Sequence, residues 1–257
     1  MDMTTQQDGY VIQSTENNIA TITFFHPQSN SLPGKILNEL AATIEAAGKS
    51  ADSTVIILKS GGNKTFCAGA SFDELLQIND TEQGLTFFSG FAKVINAMRV
   101  CPKFIIAQVQ GKCVGGGVGL AAAADYALAT EAADIKLSEL AVGIGPFVVG
   151  PAVERKMGTS AFSALAIDAS SWRNSNWAFN NGLFASLHPT IEALDEATQK
   201  LAHTLSLSSP EAMAELKKIC WLGTENWDQL LLERAAISGR LILSAFSRNA
   251  IQQFKAK

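Results

Sequence analysis

Histidine, tyrosine and cysteine are scarce in this 257-residue chain, at three, two and four copies. Cys67, Cys101, Cys113 and Cys220 form no C-x-x-C pair and stand at no metal-ligand spacing with histidine, so no metal site is expected and reduced cytoplasmic thiols are. His26, His188 and His203 pair with no serine or cysteine in a nucleophile pattern and are read as structural. An excess of cations is also missing. Twenty Lys and Arg face 24 Asp and Glu, for a formal net charge of −4. That argues against nucleic acid as a partner, because phosphate binding draws on clustered cations. No apolar run reaches the roughly 18 residues of a membrane span, and Met1–Asp8 is polar, without the apolar core of a signal segment. Hydrophobic residues make up 47% and charged ones 17%, which excludes a disordered chain. A soluble cytoplasmic protein with no membrane association is expected, long enough to bury about three quarters of its unfolded surface.

The patterning then supplies elements. β-formers in Tyr10–Ser14 and Ile19–Phe25 flank the polar Glu16-Asn17-Asn18, predicting a hairpin that His26-Pro27 ends. After Pro33-Gly34, the spacing of Ile36, Leu37, Leu40 and Ile44 predicts a helix over Ile36–Ala47. Thr54–Lys59 and Phe104–Val109 read as buried strands, Leu85–Met98 as a helix before Pro102, Leu120–Ala129 as a buried helix, and Asp134–Leu137 as a short strand. Alternation of this kind predicts an α/β fold. From Ile191 the strand signal fades. Ile191–Leu205, Pro210–Cys220, Asn226–Leu232 and Ile237–Phe254 read as helices. The chain therefore divides into a core, residues 1–190, and a helical extension, residues 191–257.

The strongest local feature is Val114-Gly115-Gly116-Gly117-Val118-Gly119, between a predicted strand and a buried helix. Unpaired N–H groups and the helix dipole make such a start a site for negative charge. Three uses compete. The glycines could serve only close strand–helix packing. Gly117 to Ala122 also fits G-x-G-x-x-A, with Glu139 about 20 residues on, a dinucleotide pattern. Alternatively, together with the small-residue segment Phe66-Cys67-Ala68-Gly69-Ala70, the loop could supply the two backbone donors of an oxyanion hole for a thioester enolate. Glu139 is one acid in a long apolar stretch, where burial raises a carboxyl pKa toward a value useful for proton transfer; it could equally be a surface residue at a strand end. Asp125 reads as a buried structural carboxylate. Cys67 and Cys113 read as small buried thiols, and Trp172, Trp177, Trp221 and Trp227 as core or interface residues.

In order along the chain, Pro27-Gln28-Ser29-Asn30-Ser31-Leu32, Phe66-Cys67-Ala68-Gly69-Ala70-Ser71, Gln110 to Leu120 with Asp125, Ser138-Glu139 with Gly143 and Pro146, and Ala178 with Gly182-Leu183 resemble the successive motifs of the crotonase (enoyl-CoA hydratase/isomerase) superfamily. The resemblance covers roughly Tyr10 to Phe254. It implies a spiral of β-β-α units, a C-terminal helical region that builds a trimer or a dimer of trimers, an acyl-CoA thioester substrate, and no metal or redox cofactor. It places the oxyanion-hole N–H groups on Ala70 and Gly116 and sets the Ala68 carbonyl near the CoA adenine. Phe254 and Lys257 would reach toward a neighbour's CoA. It also accounts for the glycines without a dinucleotide.

The departures are informative. Hydratases of this family usually carry two glutamates, one after the triple glycine and one in the Pro-Glu motif. Here Gly119 stands at the first position and Glu139 keeps the second. Ser71 replaces an aspartate and Ser138 a proline. A single carboxylate suits a 1,3 proton shift, so Δ3,Δ2-enoyl-CoA isomerisation is the leading expectation. The alternatives are a one-glutamate hydratase or dehydratase and a non-catalytic acyl-CoA-binding protein. Gly119 is expected to enlarge the pocket enough for a branched or carboxylated acyl group. Residues of Thr81–Met98 and Ile144–Pro151 are expected to line it.

Overall fold

The computed structural model describes residues 9–255. Along the chain run β1 (Tyr10–Glu16), β2 (Ile19–Phe25), β3 (Ser31–Leu32), α1 (Gly34–Lys49), β4 (Val55–Ser60), β5 (Thr65–Cys67), β6 (Gly69–Ala70), α2 (Phe72–Leu75), α3 (Thr81–Val100), β7 (Phe104–Val109), β8 (Lys112–Val114), α4 (Gly116–Ala123), β9 (Tyr126–Thr130) and β10 (Ile135–Lys136). A 3-10 turn (Glu139–Val142) leads to α5 (Gly150–Ile167), α6 (Ser175–Asn180), β11 (Ser186–His188), α7 (Ile191–Ser206), α8 (Pro210–Cys220), α9 (Trp227–Leu241) and α10 (Ala245–Lys255).

The expected hairpin forms, with Asn17 and Asn18 at φ 52° and 61° supplying a two-residue turn. β2 then begins a parallel run, giving a six-stranded sheet in the order β1-β2-β4-β7-β9-β11. β10-β8-β5 form a smaller sheet and β3-β6 a two-stranded one. Each circuit sends one strand to the large sheet and the next to a small sheet, then a helix. The repetition of strand, strand and helix is the spiral that the resemblance implies.

Strand residues alternate between two cores. Ile22, Phe24, Ile56 and Leu58 point into the main core with Leu40 and Ile44 of α1. Ile19, Val55, Ile57 and Ile106 point the other way, against Leu194 and Ala202 of α7. Both faces of the sheet are covered, which is why its central strands read as unbroken apolar runs.

Two expectations are corrected. Leu120–Ala129 is not one helix: α4 ends at Ala123 and Tyr126–Thr130 is a strand. Asp125 makes the change, since its N–H donates to Ile105 O at 3.0 Å and its Oδ2 accepts from Ile105 N–H at 2.8 Å. That pair draws the chain into the large sheet. The C-terminal break also moves. α9 is unbroken through Leu241, and the interruption falls at residues 242–244.

The helical extension is fastened to the core. Lys217 Nζ donates to Asp125 Oδ2 at 2.8 Å and to the carbonyls of Met98 and Lys103. Trp221 Nε1 donates to Asp125 Oδ1 at 2.8 Å. The side chains of Lys217 and Asp125 are 3% and 8% exposed, so the pair is nearly dry. Trp221, Trp227, Leu231 and Ala235 join the main core. α9 crosses α3 so closely that a Cβ on Gly84 would lie 2.6 Å from the Gly239 Cα.

Candidate active site

Three segments meet at the start of α4. β6 opens at Gly69 with φ +92°, where a Cβ would sit 3.2 Å from Val114 O and 3.6 Å from Gly116 N. The Ala68–Ala70 segment therefore abuts the glycine loop. Gly115 precedes α4 at φ +52°, ψ −113°, a conformation that favours glycine. A Cβ there would meet Glu139 Oε1 at 2.8 Å. Gly115 thus both turns the chain and leaves space for the carboxylate. Gly116, the first helical residue, has no carbonyl within α4 to receive its N–H.

Glu139 reaches this point from the start of the 3-10 turn, with Gly143 closing the turn in a left-handed conformation. The Glu139 Oε2 atom is buried without a hydrogen-bond partner. Burial pushes the carboxyl pKa from 4.5 up to about 7. Its own backbone N–H offsets the burial only in part, and a carboxyl with one oxygen left unpartnered is poised to exchange a proton near neutrality.

The segments enclose a cavity of about 130 Å³ lined by Ala68, Gly69, Ala70, Gly115, Gly116 and Glu139, with Phe87, Phe88, Phe91, Ile144 and Val148 as its apolar walls. All four expected site residues of the core, Ala68, Ala70, Gly116 and Glu139, come together here. Both segments expected to line the pocket do so. Ser238 of α9 also contributes; nothing in its local sequence marked it, since it reaches the cavity only through the α3–α9 crossing. Lys257 lies outside the described residues, and so does the side chain of Phe254. α10 nonetheless packs on the glutamate turn, with Phe246 Cδ1 2.6 Å from where a Gly143 Cβ would be.

Gly119 does not enlarge the pocket. A Cβ there would fall 2.5 Å from Val149 Cγ1 and 2.7 Å from its Cβ. The valine occupies the space a side chain at 119 would need, so the expectation of a roomier pocket is corrected.

Cys67 and Cys113 are buried. Burial pushes the Cys67 thiol up to about 12 and holds Cys113 well above its ordinary value, which keeps both protonated and poorly nucleophilic. Among the described residues, no three His, Cys, Asp or Glu side chains group as metal ligands. The glycine loop is not part of a dinucleotide βαβ unit: β8 before α4 and β9 after it lie in different sheets, and Gly117 packs against the Cys67 carbonyl.

A strand–strand–helix spiral that brings two backbone segments and one buried carboxylate around an apolar cavity defines the crotonase class of fold and site. Comparison with known proteins agrees: the enoyl-CoA hydratase/isomerase family profile matches residues 14–255. The chain belongs to that family, enzymes that act on acyl-CoA thioesters. It is 27% identical over 208 residues to a Mycobacterium tuberculosis (strain ATCC 25618 / H37Rv) protein, (7aS)-7a-methyl-1,5-dioxo-2,3,5,6,7,7a-hexahydro-1H-indene-carboxyl-CoA hydrolase, covering 79% of this chain and 80% of the relative. It is 28% identical over 200 residues to enoyl-CoA hydratase ACTT6 of Alternaria alternata, covering 77% and 65%. The crystal structure of an enoyl-CoA hydratase from Bacillus halodurans superposes with a TM-score of 0.87 at 21% identity, over 95% of this chain and 99% of that one.

Proposed function

We propose that this enzyme shifts the double bond of a 3-enoyl-CoA into conjugation with the thioester, a Δ3,Δ2-enoyl-CoA isomerisation carried by Glu139 alone. The N–H groups of Ala70 and Gly116 receive the thioester oxygen. Glu139 Oε2 removes a C2 proton, and the electron pair moves through the carbonyl carbon onto that oxygen to give a dienolate. The same carboxyl returns the proton at C4, the C3–C4 double bond becomes C2–C3, and the oxygen's charge collapses back. Each backbone donor is worth roughly 10²–10³ in rate where it meets developing negative charge. The Ala68 carbonyl is assigned to the CoA adenine, Phe254 and Lys257 to a neighbour's CoA, and residues 191–257 to the contacts of a trimer or a dimer of trimers. No metal or redox cofactor enters this scheme.

The observation that carries the reading is the pairing of a partnerless Glu139 Oε2 with Val149 filling the space beside Gly119. One acid–base group serves the cavity, and the volume a second would need is taken. Addition or elimination of water is the second reading. It is favoured by the hydroxyls of Ser138 and Ser238 on the same cavity, which could orient a water, and by the name of the Alternaria relative. A non-catalytic acyl-CoA binder is the third. Glu139→Gln separates it: the catalytic readings expect turnover to fall by about 10² or more with acyl-CoA affinity kept, whereas a binder shows no turnover in either form.

A further inference from the structure

Phe87 forms one wall of the catalytic cavity, and a second cavity of about 670 Å³ begins behind it. Phe87 lines both. The two spaces differ in chemistry. Leu75, Phe88, Phe91 and Ile144 make the catalytic side apolar, whereas Glu74, Asp80, Glu82, Gln77, Gln83 and Lys93 make the far side charged and polar.

The ring is held in place. It meets Phe88 edge-on, with centroids 5.0 Å apart and planes at 89°, and it packs on the small core built from Leu75, Ile78, Ile144 and Ile242. Its helix is clamped on both sides. Three residues earlier, Gly84 crosses Gly239 of α9 in close backbone contact. Three residues later, a Cβ on Gly90 would fall 2.7 Å from Leu37 Cδ1 of α1. α3 has no room to slide and carry the ring aside.

Resting on the catalytic reading above, we infer that Phe87 sets acyl-chain length and makes this a short-chain enzyme. The catalytic cavity, about 130 Å³, is close to the roughly 150 Å³ apolar cavity that takes one benzene ring, which corresponds to an acyl group of about six carbons. A longer chain meets the ring. Removing the ring joins the two cavities and gives the chain a path past Glu74 and Lys93 to solvent.

The test uses saturated butanoyl-, hexanoyl-, octanoyl-, decanoyl- and dodecanoyl-CoA, titrated by calorimetry into the wild type, Phe87→Ala and Phe87→Leu, with turnover of the matching 3-enoyl-CoAs measured in parallel. Wild-type affinity is expected to peak at hexanoyl and fall about tenfold or more by octanoyl, the size of effect a misfitting methylene produces. Phe87→Ala should move the peak to decanoyl or beyond, and Phe87→Leu should move it partway. Should the alanine variant fail to fold, the leucine variant carries the test. The inference is overturned if the wild type binds dodecanoyl-CoA as tightly as hexanoyl-CoA, or if the folded variants keep the wild-type cut-off. The catalytic reading fails separately: a length cut-off in binding with no turnover of any enoyl-CoA would remove the chemistry and leave the role of Phe87 standing.

Discussion

Glu139 is unstable by design of its surroundings, and pH exposes the cost. Its folded pKa of about 7 lies above the ordinary 4.5. The protonated form is therefore the one that the fold favours. That stabilisation is fully present below about pH 4.5 and is lost as pH rises through 7. A shift of this size corresponds to about 3 kcal/mol by linkage. Glu139→Gln, which stays neutral, should be more stable than the wild type by up to that amount above pH 8 and nearly equal to it at pH 4; urea unfolding at both values measures the difference. Catalysis needs the opposite form. kcat/KM for isomerisation should rise with pH to a plateau above about 7, and a flat profile between pH 5 and 8 would take Glu139 out of the base role. This residue was legible in the sequence because it is one acid among apolar neighbours. Val149 was not, because its importance lies in the space above Gly119, and no pattern in the chain links the two positions.

At the scale of elements, the site depends on how α4 seats against its neighbours. Gly119 and Val149 interlock between α4 and the start of α5. Gly119→Ala should cost about 1–3 kcal/mol through overpacking, and Gly119→Glu alone should destabilise without creating a hydratase. Pairing Gly119→Glu with Val149→Gly vacates the space, and that double variant is expected to gain water addition to a 2-enoyl-CoA relative to isomerisation. Product analysis by mass spectrometry checks the ratio. If the double variant folds and the ratio does not move, the second-carboxylate argument is wrong. The elements themselves were readable where the periodicity was clean, as in the hairpin, α1 and α8. α4 and β9 merged in the sequence reading because Leu120 to Ala129 is almost uniformly small and apolar, so neither a helical nor a strand period stands out. Long-range contacts separate them: the Asp125–Ile105 hydrogen bonds and the pairing of β9 with β7.

Across the whole molecule, the C-terminal helices contribute to the cavity and are tied to the core in part through one buried pair. Ser238 lines the cavity from α9, and α8 is tied to the core through Lys217 and Asp125. Lys217→Met leaves the Asp125 carboxylate buried without its ammonium, and truncating one partner of such a pair costs about 3–5 kcal/mol. Chemical denaturation should show that loss; a change below about 1 kcal/mol would mean that Trp221, Ile105 and the neighbouring Arg155 and Lys156 hold the carboxylate without Lys217. Exposed apolar side chains remain on these helices, among them Leu216, Ile219, Leu222, Leu232 and Phe246. Exposed apolar side chains of this kind are what a subunit interface would cover, in keeping with the proposed trimer or dimer of trimers, and light scattering on the intact protein should give three or six times the mass of one chain. The helical character of this region was legible from Ile191 onward. Its packing was not, because the Gly84–Gly239 crossing joins residues more than 150 positions apart.

The proton shift itself is tested most directly by mass spectrometry after incubating matched 3-enoyl-CoA and 2-enoyl-CoA substrates with the enzyme in D₂O. The account predicts that the 3-enoyl-CoA gives 2-enoyl-CoA with no mass added for water, any deuterium it carries reporting exchange of the Glu139 proton with solvent before its return to C4, and that this product is lost in Glu139→Gln. Addition of water to the 2-enoyl-CoA, with no migration of the double bond in the 3-enoyl-CoA, would contradict it.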